Sequence, residues 1–161
     1  ITSPYKGWKY LMAALKDLKE NHPDLNICLL IFGSGPNKEI QESIPFPCEF
    51  MGFIRDDYTT NLVYNASDVF VAPSLADNLP TTILESLACG TPVVGFDVGG
   101  IPDMIDHLKN GYLAKYKDEK DLSIGLKYCL SNKLEGYLLP EFQKSEIVNQ
   151  HLALMKEATK D

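Results

Sequence analysis

Hydrophobic residues follow two patterns that alternate along the chain. Apolar residues recur at helical spacing from Trp8 to Leu18, and the Asn-His-Pro sequence at 21–23 predicts the end of that helix. Residues 27–32 form an unbroken apolar run that stops at Gly33. A run that is apolar on both faces and ends at glycine is typical of a buried parallel strand.

The same two patterns predict the rest of the secondary structure. Further strands are expected at residues 48–53, 69–72, 92–96 and 112–114. Helices are expected at residues 37–43, 57–66, 81–89, 118–131 and 141–160, with one more that begins near Pro102. Strands that alternate with helices indicate a parallel sheet covered on both faces. We therefore predict an α/β fold, a Rossmann-like doubly wound parallel sheet, as a single domain over residues 1–161.

The order of these elements is irregular at its start. The first clear element is a helix, whereas the first strand of a doubly wound sheet usually lies in its centre. We therefore expect that strand to be missing or cut short at Ile1.

Two helices carry explicit packing expectations. In the helix at 57–66, Leu62 and Val63 are predicted to face inward. The last helix is predicted to pack on the domain through its apolar stripe, which consists of Ile147, Val148, Leu152 and Met155. Its acidic residues argue against an anionic membrane surface.

Charge and composition exclude several functions. The 161 residues carry 15 basic and 22 acidic side chains, which give a net charge of −7, and Arg55 is the only arginine. Nucleic-acid affinity depends on cations that meet phosphates, so we expect no nucleic-acid partner. No apolar run approaches the ~20 residues that span a bilayer.

The cysteines are interpreted as buried free thiols. They form no C-x-x-C pair and have no histidine at zinc-ligand spacing; the four are Cys28, Cys48, Cys89 and Cys129. Free thiols fit a reducing compartment, so we expect a cytoplasmic protein. Peripheral attachment of the full-length protein to the inner membrane is compatible with this expectation. The acids Asp56 and Asp57 are interpreted as helix caps rather than metal ligands, and we expect no metal and no cofactor.

The loop and helix at 73–89 are the best candidate for a binding site. A loop at the carboxyl end of a parallel strand lies where open α/β sheets bind ligands. The helix that begins near Thr81 presents free N–H groups there, and Pro80 suits its first turn because that turn needs no N–H. Asp77 and Glu85 flank this helix end, and Glu85 interrupts an apolar stretch, where a carboxylate is costly without partners. Taken alone, each acid is better explained by an ordinary stabilising role at a helix start.

Several segments in fixed order carry a family resemblance. Asp77 and Glu85 are separated by seven residues, and Gly90-Thr91-Pro92 follows. Matching segments lie at 5–8, 64–74 and 96–102. Together they resemble the C-terminal, donor-binding half of the family 4 (group 1) retaining glycosyltransferases, which include glycogen synthases and bacterial polysaccharide glycosyltransferases. These enzymes have the two-domain GT-B fold, so the resemblance implies one half of that fold.

The resemblance also implies roles for particular residues. Glu85 would accept hydrogen bonds from the donor ribose, Asp77 would contact the transferred sugar, and Lys6 would pair with the phosphates. The remaining implied donor-site residues are Gly33, Phe53, Ile54, Asn78, Leu79, Pro80, Thr81 and Thr82. Asp77 stands where the family more often has Glu, and the arginine that usually accompanies the lysine is not visible in this sequence.

The predicted function is glycosyl transfer from a nucleoside-diphosphate sugar to an acceptor hydroxyl, in polysaccharide or glycoconjugate synthesis. The acceptor, a carbohydrate or lipid-linked glycan, would bind an N-terminal half absent from this sequence, so the fragment alone is expected to be inactive. Two alternatives stay open: a non-catalytic nucleotide-binding module and a GT-B sugar-nucleotide epimerase. A dinucleotide-dependent dehydrogenase is disfavoured because Lys38 stands where the G-x-G-x-x-G fingerprint needs its third glycine.

Overall fold

The computed structural model describes residues 3–35 and 38–159. Within these ranges the chain forms strands and helices in near-alternation. The strands are β1 (Leu29–Phe32), β2 (Cys48–Gly52), β3 (Phe70–Ala72), β4 (Val93–Phe96) and β5 (Gly111–Ala114). The helices are α1 (Trp8–Asn21), α2 (Lys38–Ser43), α3 (Asp57–Asn65), α4 (Thr81–Ala88), α5 (Glu119–Asn132) and α6 (Lys144–Ala158), with 3₁₀ turns at Pro4–Lys6 and Pro140–Phe142.

All strand pairs between these elements are parallel, but the described strands form two sheets. One has the order β1-β2 and the other the order β3-β4-β5. The two sheets approach each other where the Phe32 and Phe70 rings lie 6.3 Å apart. The expected central strand at Ile1 lies outside the described residues.

The core has two parts, one on each side of the three-stranded sheet. Helices α1 and α5 pack together through residues such as Leu18 and Leu122 against Phe96 of β4. Helix α4 packs Ile83 and Leu87 against the segment that contains Ile101 and Met104. Every residue of β4 is buried, as expected for a strand covered on both faces.

Aspartate side chains cap two of the helices. Asp56 caps α3 by accepting a hydrogen bond from the Thr59 amide at 2.8 Å, which agrees with its interpretation as a cap. Asp118 caps α5 by accepting from the amides of Lys120 and Asp121. No group of three metal-ligating side chains occurs within residues 3–35 and 38–159.

The helix predicted to begin near Pro102 is wrong. The segment after β4 is a series of turns, in which the amides of Ile101 and Met104 bond to the carbonyls three residues earlier. The amide of Asp106 is then taken by the buried side-chain oxygen of Asn110 at 2.8 Å. A side chain that captures a backbone amide offers the chain an alternative to a helix.

Strand β1 is less buried than predicted. Ile31 is buried, but Leu30 is 37% exposed, because β1 pairs with β2 alone in a two-stranded sheet. In α3, Val63 is buried as predicted, whereas Leu62 is 50% exposed, so its inward placement is wrong.

The packing predicted for the last helix is also wrong. Helix α6 has no buried residue, and its contacts are mainly with the 3₁₀ turn that precedes it. The expected stripe of Ile147, Val148, Leu152 and Met155 lies exposed. Amphipathic spacing predicts an apolar face but does not say what covers it. No helix in the described part of the chain is long and apolar enough to cross a membrane.

The thiols are free, as predicted, but only one is buried. Cys129 is buried, Cys48 and Cys89 are partly exposed, and Cys28 is exposed, so the buried interpretation of Cys28 is wrong. Cys28 lies one residue before β1, at the rim of the weakly covered two-stranded sheet.

We expect the thiols to react with Ellman's reagent in an order set by this burial. Cys28 should react first because it is exposed, and Cys129 last because burial raises the pKa of its thiol to about 12. Mass spectrometry of partly labelled native protein checks the order, and labelling in denaturant gives all four sites as the control. Early labelling of Cys129 would contradict this packing of α5.

Candidate functional site

The amino end of α4 is an exposed set of backbone donors. Pro80 is the residue that caps the helix, and its carbonyl accepts from the Ile83 amide at 2.9 Å. The amides of Thr81 and Thr82 come before any helical acceptor, and both residues are exposed. Asn78 and Leu79 in the preceding loop are exposed as well. This end of the helix therefore presents backbone donors to solvent, an arrangement that suits an anion.

Two glycines hold the loop before α4 in place. The Gly100 amide donates to the Asp77 carbonyl at 3.2 Å. A Cβ atom at Gly99 would overlap the Asp77 carbonyl oxygen, and one at Gly100 would overlap that of Asn78. Gly99 also has a φ of +59°, which favours glycine. The Gly-Gly pair is therefore needed for the close approach of two backbones.

Lys6 and Asp77, which are 71 residues apart in the chain, form an ion pair. Lys6 ends the first 3₁₀ turn, and Gly7 follows with a φ of +64° and no room for a Cβ against the Pro73 carbonyl. The Tyr5 carbonyl accepts from the Leu75 amide at 2.7 Å, which ties the turn to the loop after β3. Lys6 Nζ then lies 3.4 Å from Asp77 Oδ2.

A cavity of about 480 Å³ opens between α3 and α4. Three of the predicted site residues line it, namely Gly33, Ile54 and Glu85. The other lining residues were not predicted from the sequence; they are Phe32, Asp57, Thr60, Asn61, Tyr64, Ala88 and Cys89. Four of them, Asp57, Thr60, Asn61 and Tyr64, lie on the predicted helix at 57–66, so this helix was the signal that could have found them.

Glu85 has a partner for its carboxylate. The Tyr64 hydroxyl donates to Glu85 Oε2 at 3.1 Å. Tyr64 is 1% exposed, and burial, followed by the negative charge of Glu85, raises the pKa of its hydroxyl far above the ordinary value. The expectation that Glu85 needs a partner in its apolar stretch is therefore met by a residue of another helix.

Glu85 and the Lys6–Asp77 pair lie at different parts of the candidate site. Glu85 faces the cavity, one helical turn from Thr81, while Asp77 and Lys6 form their ion pair beside the loop that leads into the helix. Phe53 belongs to neither group, since its side chain is 71% exposed and is not among the residues that line the cavity.

Comparisons with known proteins extend this description. Residues 1–132 match the family described as group 1 glycosyl transferases. An uncharacterized glycosyltransferase of Haemophilus influenzae is 28% identical over 156 residues, which are 94% of this chain and 43% of that protein. A glycosyltransferase crystal structure from Rickettsia africae matches 99% of this chain and 46% of its own, with a TM-score of 0.75 and 18% identity.

A third protein was crystallised with ligands. The structure of Anabaena HepE in complex with UDP and glucose matches 97% of this chain and 46% of its own, with a TM-score of 0.68 and 19% identity. The chain thus spans less than half the length of each of these three proteins.

Parallel strands, crossover helices and a loop-helix site at the strand ends define an α/β domain of the GT-B type. The chain belongs to the group 1 family of glycosyltransferases. The predictions of the family and of the fold class are confirmed. The roles assigned to individual site residues, the boundaries of the domain and the absence of a cofactor stay predictions.

Proposed function

We propose that this chain is the donor-binding part of a retaining glycosyltransferase that uses a nucleoside-diphosphate sugar. The observation that carries the proposal is the arrangement around α4. The carboxylate of Glu85 lies on the wall of a cavity, one helical turn from the exposed amides at the start of α4, and the Lys6–Asp77 pair involves the loop that precedes them. Such an arrangement matches a ligand with a ring system, a pair of phosphates and a polar sugar.

The cavity is suited to the nucleoside. Its volume of about 480 Å³ falls in the usual range of ~300–1,000 Å³ for small-molecule sites. Glu85 accepts hydrogen bonds from the ribose, and Gly33 and Ile54 border the base. The amides of Thr81 and Thr82 meet the diphosphate, because a helix start stabilises negative charge. The complex of Anabaena HepE with UDP and glucose supports this donor class.

Lys6 and Asp77 are assigned to the reacting end of the donor. Lys6 neutralises the charge that develops on the departing diphosphate, where stabilisation lowers the barrier most. Asp77 holds Lys6 through Oδ2 and offers its other oxygen to a hydroxyl of the sugar. This part of the enzyme therefore stabilises the leaving group and orients the sugar, and we assign no protein nucleophile to it.

We propose that the acceptor binds to a further part of a longer protein. This proposal is supported by the relatives, because the region that matches this chain covers less than half of each relative's own length. A carbohydrate or lipid-linked glycan acceptor in polysaccharide or glycoconjugate synthesis fits this family, and this chain alone is not expected to complete a transfer.

Thermal unfolding of the full-length protein with UDP, GDP, ADP and NAD tests the proposal. One nucleoside diphosphate at about a hundred times its dissociation constant should stabilise the protein by about 2.7 kcal/mol, and NAD should not. The Glu85→Ala variant should lose most of that shift, because the ribose then lacks its acceptor.

Two results would contradict the proposal: a shift with NAD alone, or no shift with any nucleoside diphosphate. Incubation of the binding donor sugar with the full-length protein, with and without acceptor, then separates the remaining enzyme classes. Only an epimerase converts the donor alone, and the anomeric configuration of a transfer product shows whether it is retained.

A further inference from the structure

Tyr64 is a buried titratable residue that the proposed mechanism does not use. Its hydroxyl donates to Glu85 Oε2, and Glu85 is the only acceptor recorded for it among the described residues. Its ring is fixed edge-to-face against Phe32, with centroids 5.6 Å apart, and against Phe70, with centroids 5.4 Å apart. The hydroxyl therefore has little freedom to leave its position.

The backbone of Tyr64 is fixed to the far end of α4. Its carbonyl accepts from Thr91 Oγ1 at 2.6 Å, and the Thr91 carbonyl accepts from the buried Ser86 Oγ at 3.0 Å. The position of Tyr64 relative to α4 is thus set by hydrogen bonds as well as by ring packing.

Glu85, in contrast, is exposed to the cavity and has a long side chain with many rotamers. A carboxylate that must accept from sugar hydroxyls loses this freedom on binding unless something already holds it. The Tyr64 hydroxyl occupies Oε2, which leaves Oε1 for a ligand. One buried residue therefore fixes both the direction of the carboxylate and the oxygen that it presents.

We propose that Tyr64 is a positioning residue that holds Glu85 for the ribose hydroxyls of the donor and so makes the site selective for ribonucleotides. This inference rests on the proposed function. The hydroxyl stays protonated over the working pH range, because burial and the charge of Glu85 raise its pKa, so that it acts as a donor throughout.

The Tyr64→Phe variant tests this inference, because it removes the hydroxyl and keeps the ring packing. Calorimetry on the full-length protein would measure the dissociation constants of UDP, GDP and ADP and of their 2′,3′-dideoxy analogues. For the nucleotide that binds, Tyr64→Phe should raise the dissociation constant of the ribose form about tenfold and leave that of the dideoxy form unchanged. In steady-state assays the donor KM should rise while kcat changes little.

Two controls separate positioning from a structural effect. In a Glu85→Ala background, Tyr64→Phe should cause no further loss, since the two residues act as one unit. Tyr112→Phe removes a similar hydrogen bond, to Asp121 Oδ1 at 2.9 Å, outside the cavity and should leave nucleotide binding unchanged.

The contrary outcomes separate a failure of this inference from a failure of the proposed function. Equal losses for the ribose and dideoxy forms, an additional loss in the Glu85→Ala background, or no loss at all would overturn the positioning role and leave the proposed function standing. Failure of the wild-type protein to bind any of the three nucleotides would overturn the proposed function and this inference with it.

Discussion

Replacing Asp77 with alanine is expected to lower kcat/KM of the full-length enzyme by about a thousandfold, the size of effect seen when an electrostatic group at a reacting centre is removed. In its proposed role Asp77 contacts the sugar, so the variant would lose that contact and also the partner that holds Lys6, whose Nζ lies 3.4 Å from Asp77 Oδ2. Both losses act at the bond that breaks. Folding should be preserved, because a partly exposed ion pair contributes about 1 kcal/mol or less to stability.

Three variants divide this loss into its causes. Asp77→Asn keeps the shape of the side chain and removes its charge. If the charge carries the effect, kcat/KM of this variant should stay below a tenth of the wild-type value. Lys6→Met should add little to Asp77→Ala, because the two residues form a pair. Asp24→Ala is the matched control, since Asp24 is an exposed acid at the opposite, amino-terminal side of β1.

The measurements are steady-state rates with saturating acceptor and the unfolding temperature of each variant. An Asp77→Ala enzyme with near-wild-type kcat/KM would remove Asp77 from the site. A large drop in unfolding temperature would assign it a structural role instead.

Local patterns explain why much of the fold was predictable. The spacing in α1, the apolar run of β4 and the start of α5 are set by residues a few positions apart, and these elements form where expected. The loop before α4 was predictable for the same reason, since Pro80 and the free amides of the first turn follow from the local sequence.

Contacts between distant segments were not predictable from such patterns. The Tyr64–Glu85 and Lys6–Asp77 contacts join residues 21 and 71 positions apart, and neither spacing marks a pair. Where a helix was expected near Pro102, Asn110 captures the Asp106 amide, and Asn110 is itself held by the Tyr137 carbonyl 27 positions further along the chain. The exposure of Cys28 and of the α6 stripe depends on what covers each surface, which hydrophobic spacing does not encode.

The second large effect is expected for Gly100→Ala, which should destabilise the full-length protein by about 3 kcal/mol. The new Cβ would overlap the Asn78 carbonyl oxygen. A backbone atom has no rotamer with which to move away, so the loop of Asp77 and Asn78 must shift. The hydrogen bond from the Gly100 amide to the Asp77 carbonyl, 3.2 Å long, would weaken with it.

This shift should damage the site as well as the fold, because the same loop carries Asp77 and leads into the free amides of α4. We expect the unfolding temperature to fall by several degrees. At a temperature where the variant is folded, kcat/KM should still be lowered at least about tenfold. Gly35→Ala is the control, since a Cβ there meets no atom within 4 Å and should change stability by less than about 1 kcal/mol. If Gly100→Ala proves as stable and as active as Gly35→Ala, the loop does not depend on the close approach of the two backbones, and the position of Asp77 must be fixed by its ion pair with Lys6 instead.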